Sequence, residues 1–271
     1  SCNTYFYQLA IDNLLSLERV EQTARALGLG ERSGLGLNVE VKGTIPTEEF
    51  EAREGTYQGG VRLNSAIGQG NVKVTVVQLA VLYAAIANGG YVMTPTLVDR
   101  IETNDGKLVL SSQPQRRNDE PVIDPGDRSR IHQGLVGVVN EEEGTAYSER
   151  LPNIVVAGKT GTAEVGREVR TAASELIEGW DTTQDHAWFA GYAPAENPQI
   201  VVVALVEHGG TGADAAAPIV MKVVGHYIGA AGSETDVAPR APGVPPPLPG
   251  HKTDEGPAVA GGRPGAKGAT P

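Results

Sequence analysis

Lys159, Thr160, Gly161 and Thr162 bring an ammonium and two hydroxyls together at the end of the apolar run Ile154-Val155-Val156-Ala157-Gly158. A fixed ammonium flanked by hydroxyls suits a carboxylate, and the N–H groups of an edge strand can pair with an extended peptide or point at an oxyanion. Gly161 has no side chain, so a second molecule can lie close to the backbone there. These pieces fit acyl transfer on a substrate that carries a carboxylate. A solvated turn after a buried strand would use the same residues, since short motifs recur by accident. Context has to decide.

The context stands at the start of the chain, in Ser1-Cys2-Asn3. S-x-x-K, S-D-N and K-T-G form one set of motifs in serine acyl-transfer enzymes, with S-x-N as the broader form of the second. Two of the three occur here, in order.

The totals narrow the classes. A chain of 271 residues can hold one sizeable domain with appendages, and 40% hydrophobic residues can fill a core. The net charge of −11 argues against a broad phosphate-binding surface, so nucleic acid is not expected as a partner. Cys2 is the only cysteine, which excludes an internal disulfide; with no His near it in sequence it reads as a small buried residue rather than a nucleophile. The histidines show no metal-ligand spacing, and neither a metal nor a cofactor is expected. Val74–Ala87 is interrupted by Thr75 and Gln78 and is too short to span a bilayer. The opening residues do not read as a signal peptide, and without an initiator Met the chain reads as processed or cut from something longer.

The elements that must position these groups follow from periodicity. Apolar spacings of three and four predict helix from Thr4 to Leu27, with a break near Asp12-Asn13, so Ser1 and Asn3 are expected in the turn just ahead of it. Glu31–Gly60 is rich in glycine and reads as extended loop. Thr75-Val76-Val77-Gln78 has the form of a capping box and opens a helix that stops at Gly89-Gly90. Tyr91–Leu110 predicts a hairpin turning at Asn104-Asp105-Gly106, and Asp127–Val139 another helix. Ile154–Thr162, His186–Ala193 and Ile200–Glu207 predict three strands of an antiparallel meander. Glu164–Asp185 is long and polar, a lip over the site or a solvated loop. Gly209–Gly212 lacks the Lys-Ser/Thr of a phosphate loop and reads as a turn into a helix over Ala215–Ile228. From Ser233 onward nine prolines fall in thirty-nine residues, the composition of a disordered tail.

Several longer stretches, Ser1-Cys2-Asn3-Thr4-Tyr5-Phe6-Tyr7-Gln8, Ile67-Gly68-Gln69-Gly70, Gln78-Leu79-Ala80, Ala87-Asn88-Gly89-Gly90, Lys159-Thr160-Gly161-Thr162-Ala163-Glu164 and Ala187-Trp188-Phe189-Ala190-Gly191-Tyr192-Ala193-Pro194, resemble class B penicillin-binding proteins over roughly Ser1–Ile228. Among these the elongation-type transpeptidases look most similar. The resemblance implies an α+β fold of the penicillin-binding protein and serine β-lactamase type, an antiparallel sheet flanked by helices. Residues 1–230 would be the C-terminal part of the transpeptidase domain, incomplete on its N-terminal side, and 231–271 a Pro/Gly/Ala-rich tail. It implies D,D-transpeptidation of peptidoglycan stem peptides ending in D-Ala-D-Ala, with β-lactams as acylating inhibitors.

In that pattern Ser1 relays protons, Asn3 holds the substrate amide, and Lys159, Thr160 and Thr162, with Gly161 between them, hold the terminal carboxylate. The N–H of Thr162 would be half of an oxyanion hole. By family the protein would sit at the bacterial inner membrane with its domain on the periplasmic side, beside elongation machinery that includes a glycosyltransferase. One departure matters: no serine has a lysine three positions on, and Ser16, followed by Arg19, comes nearest. A serine nucleophile needs a base to take its proton. Nucleophile and base are therefore expected upstream of residue 1, and the chain alone is expected to be inactive. The rival readings are a septal enzyme of the same class, a non-catalytic β-lactam sensor, and an N-terminal-serine hydrolase using Ser1 and its own α-amine.

Overall fold

The computed structural model describes residues 2–54, 59–165 and 184–230. Ser1, residues 55–58, most of the polar stretch Glu164–Asp185 (166–183) and the proline-rich 231–271 lie outside the described residues.

The first helical run is two helices. α1 (Asn3–Ile11) ends at Asp12, Asn13 takes a φ of 56°, and α2 (Leu17–Ala26) restarts where the hydroxyl of Ser16 accepts from the N–H of Arg19. Asn3 is itself the first helical residue, not part of a turn ahead of the helix. Cys2 is exposed, correcting the expectation of a buried residue: it is the N-cap of α1 in an extended conformation, ahead of the first helical turn.

Glu31–Gly60 is not all loop. Thr47 accepts from the N–H of Phe50 and opens α3 (Glu48–Glu54), whose first turn holds three glutamates where the helix dipole favours negative charge. α4 (Gly60–Ala66) then begins behind Gly59, which has a φ of 89°. α5 (Val76–Ala87) has the expected capping box, with both reciprocal bonds between Thr75 and Gln78. Gln78 is fully buried, and its Nε2 also donates to the carbonyls of Glu31 and Lys42, which ties the preceding loop to α5.

The expected hairpin is β2 (Arg100–Glu102) on β3 (Leu108–Ser111), turning at Gly106 with a φ of 82°. The flanking β1 (Met93–Thr94) pairs instead with β4 (Gln115–Arg116), beyond the range the hairpin pattern marked. α6 (Pro125–Asn140) starts with proline in its first turn and with Asp124 Oδ1 accepting from Gly126 and Asp127.

β5 (Ala157–Ala163), β6 (His186–Ala193) and β7 (Ile200–Val206) make the meander in that order, antiparallel throughout. The apolar residues Ile154–Val156 stand ahead of β5 rather than within it. A π-helical turn (Gly212–Ala216), capped by Thr211, leads into α7 (Ala217–Ala230).

Alternation along β6 assigns the layers. Ala187, Phe189 and Ala193 pack with Val220, Val224 and Ile228 of α7, while Ala190 and Tyr192 pack with Tyr83 and Ile86 of α5 and Leu135 and Val136 of α6. Helices therefore cover both faces of the sheet. The Tyr192 hydroxyl lies 2.7 Å from His132 Nδ1 on α6, and burial holds that imidazole below its usual range.

Candidate active site

β6 is the middle strand, so β5 is a margin of the three-stranded sheet. Lys159 stands opposite Ala190, whose side chain packs toward α5 and α6, and the lysine rises on that same face. Its Nζ donates to Thr160 O at 2.9 Å and reaches Thr160 Oγ1 at 3.2 Å. The ammonium is half-buried, and desolvation holds its pKa below the ordinary lysine value.

Side-chain amides close both ends of this margin. Asn140 Nδ2, at the end of α6, donates to Val156 O at 2.9 Å. At the other end Gln69 Nε2 donates to Thr162 O at 2.7 Å, and Gln69 Oε1 accepts from Glu164 N–H at 3.2 Å. These bonds point away from β6. Backbone polarity alternates every second residue, so the N–H groups of Thr160 and Thr162 turn to the same open side. An extended peptide or an oxyanion would meet this stretch.

The glycines here also have an internal reason. A Cβ on Gly158 would come within 2.5 Å of Phe189 Cζ, and one on Gly161 within 3.2 Å of Trp188 Cβ. Both make room for aromatic residues of β6, beyond the ligand access expected for Gly161.

Lys159, Thr160, Gly161 and Thr162 thus share one margin, as expected from their spacing. Asn3 stands on α1, which packs against α4, and Ser1 lies outside the described residues. The sequence did not reveal Thr145. It sits in the turn after α6, and its Oγ1 is 2.7 Å from Thr160 Oγ1. If Thr160 donates to a carboxylate it must accept from Thr145, so Thr145 sets the direction of that proton. Under the acyl transfer that the family resemblance implies, Thr145→Ala is expected to slow penicillin acylation of the complete protein by about three- to tenfold, near the net worth of one hydrogen bond, with Thr145→Ser restoring it. Equal rates for the alanine and serine variants would show that this hydroxyl does not matter.

The family model described as penicillin binding protein transpeptidase domain matches residues 1–225. The chain belongs to the penicillin-binding protein transpeptidase family. A curated relative, peptidoglycan D,D-transpeptidase MrdA of Haemophilus influenzae, is 31% identical over 84% of this chain, which spans only 35% of that relative. Pseudomonas aeruginosa PBP2, solved in complex with WCK 5153, is 33% identical with a TM-score of 0.66, covering 83% of this chain and 47% of that one. Helicobacter pylori PBP2, solved in complex with MreC, is 26% identical with a TM-score of 0.64, covering 85% and 38%. The transpeptidase-domain fold, with its antiparallel sheet between helices, is the one the chain adopts.

Among the described residues no cluster of three or more His, Cys, Asp and Glu could hold a metal ion. None of the described helices is long and apolar enough to cross a membrane.

Proposed function

We propose that this chain is the C-terminal part of a peptidoglycan D,D-transpeptidase of the elongation type. The observation that carries the proposal is the half-buried Lys159 ammonium beside the Thr160 hydroxyl, on the margin where the N–H groups of Thr160 and Thr162 face outward, in a chain of this family. A stem peptide ending in D-Ala-D-Ala would lie along β5. Its terminal carboxylate would meet Lys159, Thr160 and Thr162, with bare Gly161 admitting its backbone.

A serine outside these residues would add its Oγ to the penultimate D-Ala carbonyl, its proton passing to a lysine base. The N–H of Thr162 would stabilise the oxyanion. The C–N bond then breaks, and terminal D-Ala leaves as an amine that takes up a proton relayed through Ser1. In the second half the amine of a neighbouring strand attacks the acyl ester, loses a proton and restores the serine. Asn3 would hold the substrate amide. β-Lactams would acylate the same serine.

The rival in which Ser1 is the nucleophile with its own α-amine as base fits poorly with a helix that begins at Asn3. For partners, the MrdA relative and the MreC complex of the Helicobacter protein support elongation machinery with a MreC-type component, and a glycosyltransferase beside it is what the family resemblance alone implies. The protein would then be anchored in the inner membrane with this domain on the periplasmic side.

Labelling with a fluorescent penicillin tests the proposal. The complete gene product is expected to take one covalent label, lost on denaturation before labelling, and the 271-residue chain alone none. An unlabelled complete protein would refute the activity. A labelled 271-residue chain would refute the upstream nucleophile.

A further inference from the structure

Gln69 touches the sheet margin but has no part in the chemistry above. A backbone carbonyl only accepts and an N–H only donates, so its bonds to Thr162 O and Glu164 N–H fix both ends of its carboxamide. Taking the O of one residue and the N–H of the next but one is how a residue of a parallel strand pairs around the residue between, here Ala163. One side chain stands where another strand would begin.

The carboxamide is held from below by its own turn. Gly68 and Gly70 flank Gln69 with φ of 70° and 68°, in the left-handed region that glycine tolerates. The N–H of Gln69 donates to Asn64 O at 2.9 Å and that of Gly68 to Ser65 O at 3.1 Å, which makes the turn the C-terminal end of α4. α4 packs against α1 and α2, and its Arg62 Nη1 donates to Asn13 Oδ1 at 2.7 Å, just past the end of α1. The Asn3 helix and the Lys159 strand are therefore linked through α4 and Gln69.

We propose that Gln69 is a positioning residue: it pins the Thr162–Glu164 end of β5 to α4, keeping the Thr162 N–H aimed out from the open margin and fixing the spacing between the Asn3 helix and the Lys159 strand. The proposal rests on the transpeptidase activity proposed for the site. A carboxamide already seated at Ala163 also ends the open margin, so a docked peptide runs no further than Thr162.

The test uses the complete gene product with Gln69→Ala, Gln69→Glu and, as a control, Lys159→Ala. Penicillin acylation is resolved into its maximal rate and half-saturating concentration, and hydrogen exchange is followed at the Glu164 amide. Gln69→Ala is expected to lower the maximal rate roughly ten- to a hundredfold, the scale of a small misplacement at a reacting centre, and to speed exchange at Glu164. Gln69→Glu keeps the shape and the acceptor for Glu164 but sets a carboxylate against Thr162 O. Once protonated it can donate again, so its rate relative to the parent is expected to rise as pH falls. A part in folding alone would change the melting temperature and the fraction folded but leave the rate per folded molecule at the parental value.

Gln69→Ala acylating within about twofold of the parent, or a Gln69→Glu profile parallel to the parent's, overturns the proposal. A parent that takes no label, or a Lys159→Ala variant that labels like it, counts against the transpeptidase activity instead. Exchange at Glu164 then decides for Gln69 by itself: unchanged in Gln69→Ala overturns the pinning, faster upholds it.

Discussion

Lys159→Ala in the complete protein is expected to cut penicillin acylation by about two to three orders of magnitude, the loss typical of removing one preorganised electrostatic group from a reacting centre. The variant keeps the β5 backbone and the Thr160 hydroxyl but loses the half-buried ammonium that would neutralise a carboxylate. Lys159→Arg is not expected to rescue it. A guanidinium is planar and larger, whereas the ammonium fits as a point charge between Thr160 O and Thr160 Oγ1. An alanine variant that acylates at the parental rate would remove Lys159 from the site.

The same burial fixes the sign of two further effects. Desolvation holds the Lys159 pKa below the ordinary lysine value, so the folded protein releases this proton at lower pH than the unfolded chain does. Between those two values the unfolded state binds more protons, and stability rises with pH. At neutral pH the charged lysine is a cost to folding. Lys159→Met is therefore expected to raise the melting temperature while abolishing acylation, the exchange of stability for activity found at strained sites. On the alkaline limb the parent should lose acylation at a pH below that of an ordinary lysine, as the ammonium becomes neutral. A Lys159→Met variant that melts below the parent at neutral pH would contradict the desolvation.

What the sequence made legible was local. The capping box at Thr75 and Gln78 lies within one turn, and both of its bonds form as the pattern implies. β6 and β7 were readable because both are largely apolar and the short connection between them leaves few ways to pair them, and β5 was readable from the apolar run that leads into Lys159. α3 and α4 were missed because glycines surround them and neither is long enough to show a period; Thr47 before Phe50 was the one available signal. β1 was drawn into the hairpin because its partner, β4, lies beyond the turn that sequence periodicity marks. Lys159 to Thr162 could be found as a tripeptide and a hydroxyl. Gln69 could be seen as part of a motif but not as a bond, since its partners Thr162 and Glu164 lie far along the chain. Thr145 had no signal beyond a hydroxyl after a glycine. Residues that shape an edge by reaching across it leave little trace in periodicity, because their spacing is set by the tertiary fold.

Gly212→Ala is the second large effect, and it connects the core to the margin. An added Cβ would lie 2.2 Å from Trp188 O, 2.4 Å from Gly161 O and 2.8 Å from Gly161 N. All three are backbone atoms of β5 and β6, so no side chain can rotate away. Either the π-helical turn lifts off the sheet or the two strands part. Both break the packing of α7, whose Val220 and Val224 are fully buried against β6. The expected destabilisation is about 3 kcal/mol or more, which for a domain of this size lowers the melting temperature by roughly 6–12 °C. Gly134→Ala is the contrast. Gly134 lies inside α6 with nothing within 4 Å of its added Cβ, so alanine there should stabilise by about 0.5–1 kcal/mol through helix propensity alone. Because Gly212 bears on Gly161 itself, its alanine variant should also acylate more slowly than its fraction folded accounts for, measured well below its melting point. A Gly212→Ala protein that melts with the parent and acylates normally would mean that the turn does not press on the Lys159 strand.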